Sequence, residues 1–496
     1  MKTLRTLALI ITLCLLFSFL IGCNAEPEEP SSESTSQSST KKTTAQKATI
    51  PAKTYDEERP KNPAVLPKYG DDDFEIPNMP LGQQSEMHIA IETNKTEYND
   101  YLNALEADGY SFYADNEIGD NLYATYINDT HILNVMYINA FKQTRVIIDD
   151  RTVFALPGLE KENVYEETSD CSLTLLSDDA VGWPGRMGYI YKLADGSFFI
   201  IDGGYTKSGD GGNSSEPYIM SVLEKYADDP NNITIAAWLI SHVHSDHLGG
   251  FLDMSSNTEI KERIHIEKVI YNMPCEADLS EQDLNSNGTT TMTKWGEKLE
   301  NAIIRWSPDA IIKAHPGQVF HIRNLKLTIY HSQDLMLGTP LTSSNPKLVY
   351  KSIKVHNNTS IVSKVEFMGK TALYLADSSA QANKSVLDPV YNTSLQADIV
   401  QVAHHGYGDT SAGNVYKHIT PSMVFWPVCK QHYDGLNHDG SIYYEKGSAY
   451  SGVSSVGFNV EYLFKEGIKH YYHGGDCITF SDFETWEGVR WDAVPN

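Results

Sequence analysis

Hydrophobic positions along most of this chain come in short runs separated by polar residues, Asp, Asn and Gly prominent among them. Such runs predict strands and their separators predict turns. Residues 96–106 depart from that rhythm. Tyr98, Leu102 and Leu105 recur there at helical spacing and predict one helix. Runs at 110–113, 122–127, 131–138 and 143–148 then predict a small sheet, so residues 85–165 are expected to form an α+β domain. Its rings (Tyr110, Phe112, Tyr113, Tyr123, Tyr126 and Tyr137) are expected to fill the core of that sheet. A carbohydrate- or wall-contacting face is the lesser alternative.

From Cys171 onward strands and helices mix without strict alternation. Strands are predicted at 172–176, 188–193, 197–202, 233–240, 325–331, 360–367, 370–376, 399–403 and 423–426. Helices are predicted at 218–226, 293–304, 379–387 and 414–418. The class is α/β, with a domain expected over residues 168–496. The polar stretch 273–292 is expected to form a rim or lid, as long loops in compact domains often do.

The first 84 residues follow other rules. Lys2 and Arg5 precede an apolar run from Leu7 to Ile21, and Leu20-Ile21-Gly22-Cys23 closes it. That order predicts a secretory signal over residues 1–22. The Leu-x-Gly-Cys ending resembles a bacterial lipobox, which implies lipidation of Cys23 and a protein held outside the cytoplasm at the cell membrane. Residues 23–84 are rich in Ser, Thr, Lys and Pro, with few large apolar side chains over most of the segment. They bury too little to offset chain entropy and predict a disordered stalk.

Composition narrows the partners. The 65 acidic residues outweigh 39 basic ones, for a net charge of −26. This disfavours nonspecific binding to nucleic acid or anionic lipid. A cell-envelope or small-molecule substrate is expected, with membrane contact through the N-terminal lipid only. Of six cysteines, Cys171, Cys275, Cys429 and Cys477 lie beyond the leader and the anchor. Their even number permits two disulfides in three connectivities, with free buried thiols the equal alternative. No Cys-x-x-Cys occurs, so no zinc–thiolate site is expected.

The densest chemistry follows the apolar run 233–240. His242, His244, Asp246 and His247 fall within six positions, in a loop at the end of a buried strand. Imidazole and carboxylate suit Zn²⁺, Fe or Mn²⁺, and alternate ligands in a tight loop can serve two adjacent ions.

This His-x-His-x-Asp-His pattern resembles the signature of the metallo-β-lactamase superfamily. Three further segments carry the likeness: Phe198-Phe199-Ile200-Ile201-Asp202-Gly203-Gly204, the run from Thr371 to Asp377, and Ala397 to Gly406 with its His404-His405-Gly406 ending. The resemblance implies an αββα sandwich. It also implies two divalent ions, Zn²⁺ foremost and Mn²⁺ or Fe as alternatives. His242 and His244 would face one ion and Asp246 and His247 the other, with Asp377 bridging. His356 would complete the first site, with Asn358 as the alternative occupant of that position. His438 would close the second site. Asp246, His404 and His405 are the candidate catalytic residues, and either histidine of the pair would hold metal or donate a proton. Asp202 would support the ligand loop by hydrogen bonds. The Asn357-Asn358-Thr359-Ser360 run resembles the branch that includes ComEC-like hydrolase domains and the cell-wall phosphorylcholine esterases.

The expected activity is metal-dependent hydrolysis, with phosphoester bonds of an envelope substrate the first choice. The resemblance also implies that β-lactam cleavage is disfavoured, since His247 directly follows Asp246 and an aspartate stands at 377 where members with that activity carry other residues. Extracellular nuclease, lactone or thioester hydrolysis, and a non-catalytic envelope-binding lipoprotein are the alternatives.

Overall fold

The computed structural model describes residues 66–70, 85–161, 163–177, 186–207, 214–273, 287–336, 356–406, 414–428, 433, 462–482 and 484–492. The leader, Cys23, nearly all of the stalk, Cys275, Cys429, His432 and His438 lie outside them. None of the described helices is long and apolar enough to cross a membrane.

The small domain is a five-stranded antiparallel sheet with one helix. Its strands are β1 (Ser85–Ile91), β2 (Ser111–Ile118), β3 (Asn121–Ile127), β4 (His131–Ile138) and β5 (Gln143–Asp150), in the order β1-β5-β4-β3-β2. Helix α1 (Lys95–Ala107) starts at Asn94, whose side chain accepts from Thr96 N and Glu97 N while Glu97 reaches back to Asn94 N. This capping box satisfies donors that the first helical turn leaves orphaned. Tyr98, Tyr101, Leu105, Tyr126, Tyr137 and Val146 share one core cluster on one face of the sheet. The opposite face carries Met87, Ile89, Tyr123, Met136 and Ile147, which join a core cluster of the larger domain that includes Leu335, Val362 and Tyr391. Phe112 stays 53% exposed. Beside it, a cleft of about 880 Å³, lined by residues including Tyr113, Asp115, Asn116, His321 and Lys326, separates the small sheet from the turn after His315.

The larger domain packs two sheets face to face. The first contains β6 (Ser172–Leu175), β7 (Tyr189–Lys192), β8 (Phe198–Ile201), β9 (Ile233–Leu239), β10 (Ile264–Ile266), β11 (Val269–Tyr271), β12 (Ile311–Lys313), β20 (Cys477–Phe480) and β21 (Val489–Trp491). Its order is β12-β11-β9-β8-β7-β6-β20-β21, with β10 on β9. The second runs β13 (Val319–Ile322), β14 (Leu325–His331), β15 (Val362–Phe367), β16 (Lys370–Tyr374), β17 (Ile399–Gln401), β18 (Met423–Trp426) and β19 (Lys469–Tyr472). Leu173, Tyr191, Phe199, Leu239, Phe320, Val365, Tyr374 and Phe425 fill the space between them. Helices α2 (Glu216–Tyr226), α3 (Ser245–Ser256), α4 (Thr258–Arg263) and α5 (Asn287–Trp306) accompany the first sheet, and Ile219, Leu248, Phe251 and Leu299 pack with its Phe198, Ile200 and Trp238. This is a metallo-β-lactamase-like sandwich.

Two differences from the sequence expectations matter. Asp246 and His247 lie in the first turn of α3 and not in a loop, because the helix begins at Ser245. Gly249 and Gly250 let that helix lie against the turn after β8. A Cβ on Gly249 would stand 2.1 Å from Thr206 N, and one on Gly250 2.3 Å from Gly203 O. The C-terminal strands β19, β20 and β21 carry no alternation long enough to predict them. Cys171 keeps a free thiol that accepts a hydrogen bond from Asn324 Nδ2 at 3.2 Å, and Cys477 is buried.

Candidate metal centre

Parallel strands place the site. β8 and β9 run side by side, as do β16 and β17, and the candidate residues follow their C-terminal ends. Asp202 comes directly after β8 with φ +56. Its Oδ1 accepts from Ser241 N at 2.7 Å, and its Oδ2 accepts from Ser241 Oγ at 2.8 Å. The same Oδ2 lies 2.8 Å from His247 Nδ1. With Nδ1 committed to Asp202, His247 Nε2 faces the other way, toward Asp377 Oδ1 at 3.2 Å. This is how a carboxylate orients a histidine ligand without itself meeting the ion.

Two sets of side-chain atoms converge. His242, His244 and Asp377 form one, and Asp246, His247, Asp377 and His405 form the other; within each set the ligating atoms lie within 4.8 Å of one another. Asp377 belongs to both. His242 Nε2 and His244 Nδ1 are 3.0 Å apart, and His242 Nε2 is 3.7 Å from Asp377 Oδ2. His405 Nε2 lies 3.2 Å from Asp246 Oδ2 and 3.7 Å from Asp377 Oδ1, while its Nδ1 donates to Pro427 O at 2.7 Å.

The electrostatics fit cations. Asp377 and Asp246 are buried, which favours their neutral forms, yet the neighbouring imidazoles win. His247, His405 and His404 hold Asp377 well below the usual carboxylate range, and His247 and His405 do the same for Asp246. Burial, aided by His247 and His244, pushes His242 well down and keeps it neutral. Burial also lowers His244. For His247, burial is outweighed by Asp377, Asp202 and Asp246, which push it up. Buried His247 Nε2 and Asp377 Oδ1 have no hydrogen-bond partner among the described residues. Buried polar atoms are rarely left so, and a cation between them satisfies both. The donor set of imidazoles and carboxylates fits divalent metal.

The remaining candidates take distinct places. His404 belongs to neither set. It lies 3.9 Å from Asp377 Oδ2 and accepts a hydrogen bond from Asn357 Nδ2 at 3.1 Å. His404 and His405 both adopt left-handed backbone, φ +47 and +54, which separates the directions of two adjacent side chains. His356 is buried with its ring 6.4 Å from that of His244, and it joins neither set. Asn358 Oδ1 accepts from Ser379 Oγ at 2.8 Å and Ala382 N at 3.0 Å, which fixes the turn after Asp377. Asn357, its neighbour, faces His404. Two contributors stand outside the residues singled out by sequence. Asn357 is one. Gln401 is the other: its Oε1 accepts from Ala376 N at 2.6 Å and its Nε2 donates to Ala376 O at 3.1 Å. That pair of bonds clamps the left-handed residue just before Asp377. A polar residue at the end of an apolar strand is the one signal the sequence offers for it.

Residues 183–412, which include most of the sandwich, match the model of the metallo-beta-lactamase superfamily. Comparison with curated proteins gives no match. Among solved structures, the chain is similar to CmlA, a diiron beta-hydroxylase from Streptomyces venezuelae, with 14% identity over 53% of this chain and 46% of that one, TM-score 0.29. It is also similar to YhfI from Bacillus subtilis, a metallo-beta-lactamase fold protein, with 16% identity over 51% and 85% of the two chains, TM-score 0.28. A third is Zn(2+)-bound PqqB from Methylobacterium extorquens, with 11% identity over 47% and 72%, TM-score 0.25. The chain thus spans about half the length of the hydroxylase.

Proposed function

We propose that this protein is a metal-dependent hydrolase that cleaves phosphoester bonds in an extracytoplasmic, cell-envelope substrate. The observation that carries the proposal is the sharing of Asp377 between two converging sets of imidazoles and carboxylates. Bound divalent ions, Zn²⁺ foremost, would supply an activated water near neutral pH and draw charge from a phosphoryl oxygen. His242, His244 and Asp377 would hold one ion; Asp246, His247, Asp377 and His405 would hold the other.

The chain's own groups do the positioning. Asp202 and Ser241 fix the ring of His247, and Pro427 O fixes that of His405. His404, partly exposed, and the amide of Asn357 stand beside Asp377. There they would hold the oxygen of the leaving group by hydrogen bonds. The envelope setting is supported by the signal-like start and the Leu-x-Gly-Cys ending at Cys23. The acidic balance of the chain speaks against a nucleic-acid substrate.

The test is a substrate panel with Zn²⁺, Mn²⁺ and Fe²⁺ supplied separately. Bis-p-nitrophenyl phosphate should turn over, with little cleavage of a lactone or of single-stranded DNA. Lactone cleavage without phosphodiester cleavage would replace the substrate class and leave the metal centre standing.

A further inference from the structure

The small domain ends its last strand, β5, beside a buried ion network. Asp149 in β5 meets His315, which lies just past β12 of the sandwich. The His315 ring is held at both ends: Nε2 lies 2.7 Å from Asp149 Oδ2 and Nδ1 2.7 Å from Asp334 Oδ2. All three side chains are buried. A ring that donates to a carboxylate from each nitrogen must carry both protons and a positive charge. Burial opposes that charge, but Asp149 and Asp334 outweigh it and push His315 up to about 9.

Bonds spread from this core into both domains. On the small-domain side, Ser85 Oγ donates to Asp149 Oδ1 at 2.5 Å, and Lys313 Nζ donates to Ser85 Oγ at 2.7 Å. Arg145 of β5 donates to Asp334 O at 2.6 Å. On the sandwich side, Asp334 accepts from Ser332 Oγ at 2.8 Å and from Asn272 Nδ2 at 3.0 Å.

Both of those partners lead to the metal centre. Asn272 follows β11, which lies parallel beside β9, the strand that delivers Ser241 and His242. Next to Ser332, His331 Nδ1 donates to Ser360 O at 2.8 Å. Ser360 N in turn bonds Asn357 O, and Ile361 N donates to Ser241 O at 2.9 Å. The network therefore reaches the ligand-bearing segment by two routes, through the β11–β9 pair and through the turn that carries His356 and Asn357.

Apolar contact already covers the sheet face, so the ions are not needed to hold the domains together. Buried ion pairs return little net stability compared with apolar groups of the same volume, and their best-attested use is to fix one geometry. We propose that the small domain is a positioning element of the metal centre, acting through Asp149, His315 and Asp334. It rests on the metal-centre proposal above and adds to it that ion affinity depends on residues outside the sandwich.

Coupling between two sites is reciprocal and commonly amounts to roughly 5–150-fold. The experiment uses the full chain and Zn²⁺ alone as probe. Zn²⁺ affinity, measured by competition with a chromogenic chelator, should fall at least about fivefold in Asp149→Asn and in the milder Ser85→Ala. Asn94→Ala, at the cap of α1, should leave it unchanged. In the wild type, Zn²⁺ should slow amide hydrogen exchange in segments 85–91 and 143–150. Wild-type affinity in a folded Asp149→Asn protein would overturn the proposal. Should that variant not fold, unchanged exchange of those segments on Zn²⁺ addition would overturn it equally. A wild-type chain that binds no Zn²⁺ would remove the metal-centre proposal and this one together, a result distinct from binding without coupling.

Discussion

The small sheet and the edge of the sandwich that carries the candidate metal centre solve the same problem, burying polar backbone and side chains, in opposite ways. In the small domain antiparallel neighbours follow one another from β2 through β5 with a single irregularity at Phe112–Ala114, and Tyr98 and Tyr126 place their hydroxyls on partners within the domain, Val135 O and Glu106. Its left-handed non-glycine residues, Glu92 and Lys142, sit in connections between elements. At the sandwich edge the left-handed residues are Asp202, Ala376, His404 and His405, each one a candidate site residue or the neighbour of one. Such backbone costs about 1–3 kcal/mol per residue and persists where the surroundings over-determine it. Unpartnered buried atoms on His247 and Asp377 add to that cost. The difference teaches where to look: regularity marks the support, and strain with unmet polar atoms marks the chemistry.

The comparison is broken most forcefully at its extreme. Asp377→Ala should lower phosphodiester turnover by roughly a thousandfold or more, since it removes a group shared by both sets. Circular dichroism should show the fold retained, and intact turnover would remove Asp377 from the mechanism. Next comes the network that joins the two regions. His315 is raised in the folded state, so the stability it contributes is fully present below its unfolded value near 6.5 and is lost as pH rises through about 9. That contribution is on the order of 3 kcal/mol. Melting temperature should therefore fall more steeply between pH 6.5 and 9.5 in the wild type than in His315→Gln, and parallel curves would refute the charged ring.

Asp202→Asn tests the support beneath the ligands. It keeps the size of the side chain and weakens its grip on His247, so metal affinity should fall by roughly 10–100-fold. Titration calorimetry against Zn²⁺ would show it. The smallest effect belongs to the regular region. Asn94→Ala removes the cap of α1 and should cost about 1 kcal/mol in urea unfolding while turnover stays unchanged. A loss of activity there would erase the distinction between the two regions.

Much of this architecture is legible in the amino-acid sequence. Four of the five small-domain strands, β2 to β5, are visible as short runs between Asp/Asn/Gly-rich turns, while β1 is not predicted; the cluster from His242 to His247 is visible because its residues are local in sequence. Asp377 stands out as the lone acid at the end of an apolar strand. Adjacent pairs are not separable. Nothing in His404-His405 tells which ring turns inward, because consecutive left-handed residues decide it. Nor does Asn357-Asn358 reveal which amide faces the site, since the helical turn Ala380–Ala382 claims Asn358. The short strands β10 to β13 and β19 to β21 escape for another reason. Unlike the equally short β6 to β8, β17 and β18, they are not embedded in a longer apolar run, and their neighbours across the sheet define them.

Metal stoichiometry tests the central claim most directly. The full-length wild-type chain, loaded with Zn²⁺ and freed of excess by gel filtration, should retain two ions by elemental analysis. His405→Ala should retain one, and His404→Ala should retain both. A folded wild-type chain that retains none, or a His405→Ala protein that still holds two, would contradict the shared-aspartate centre described here.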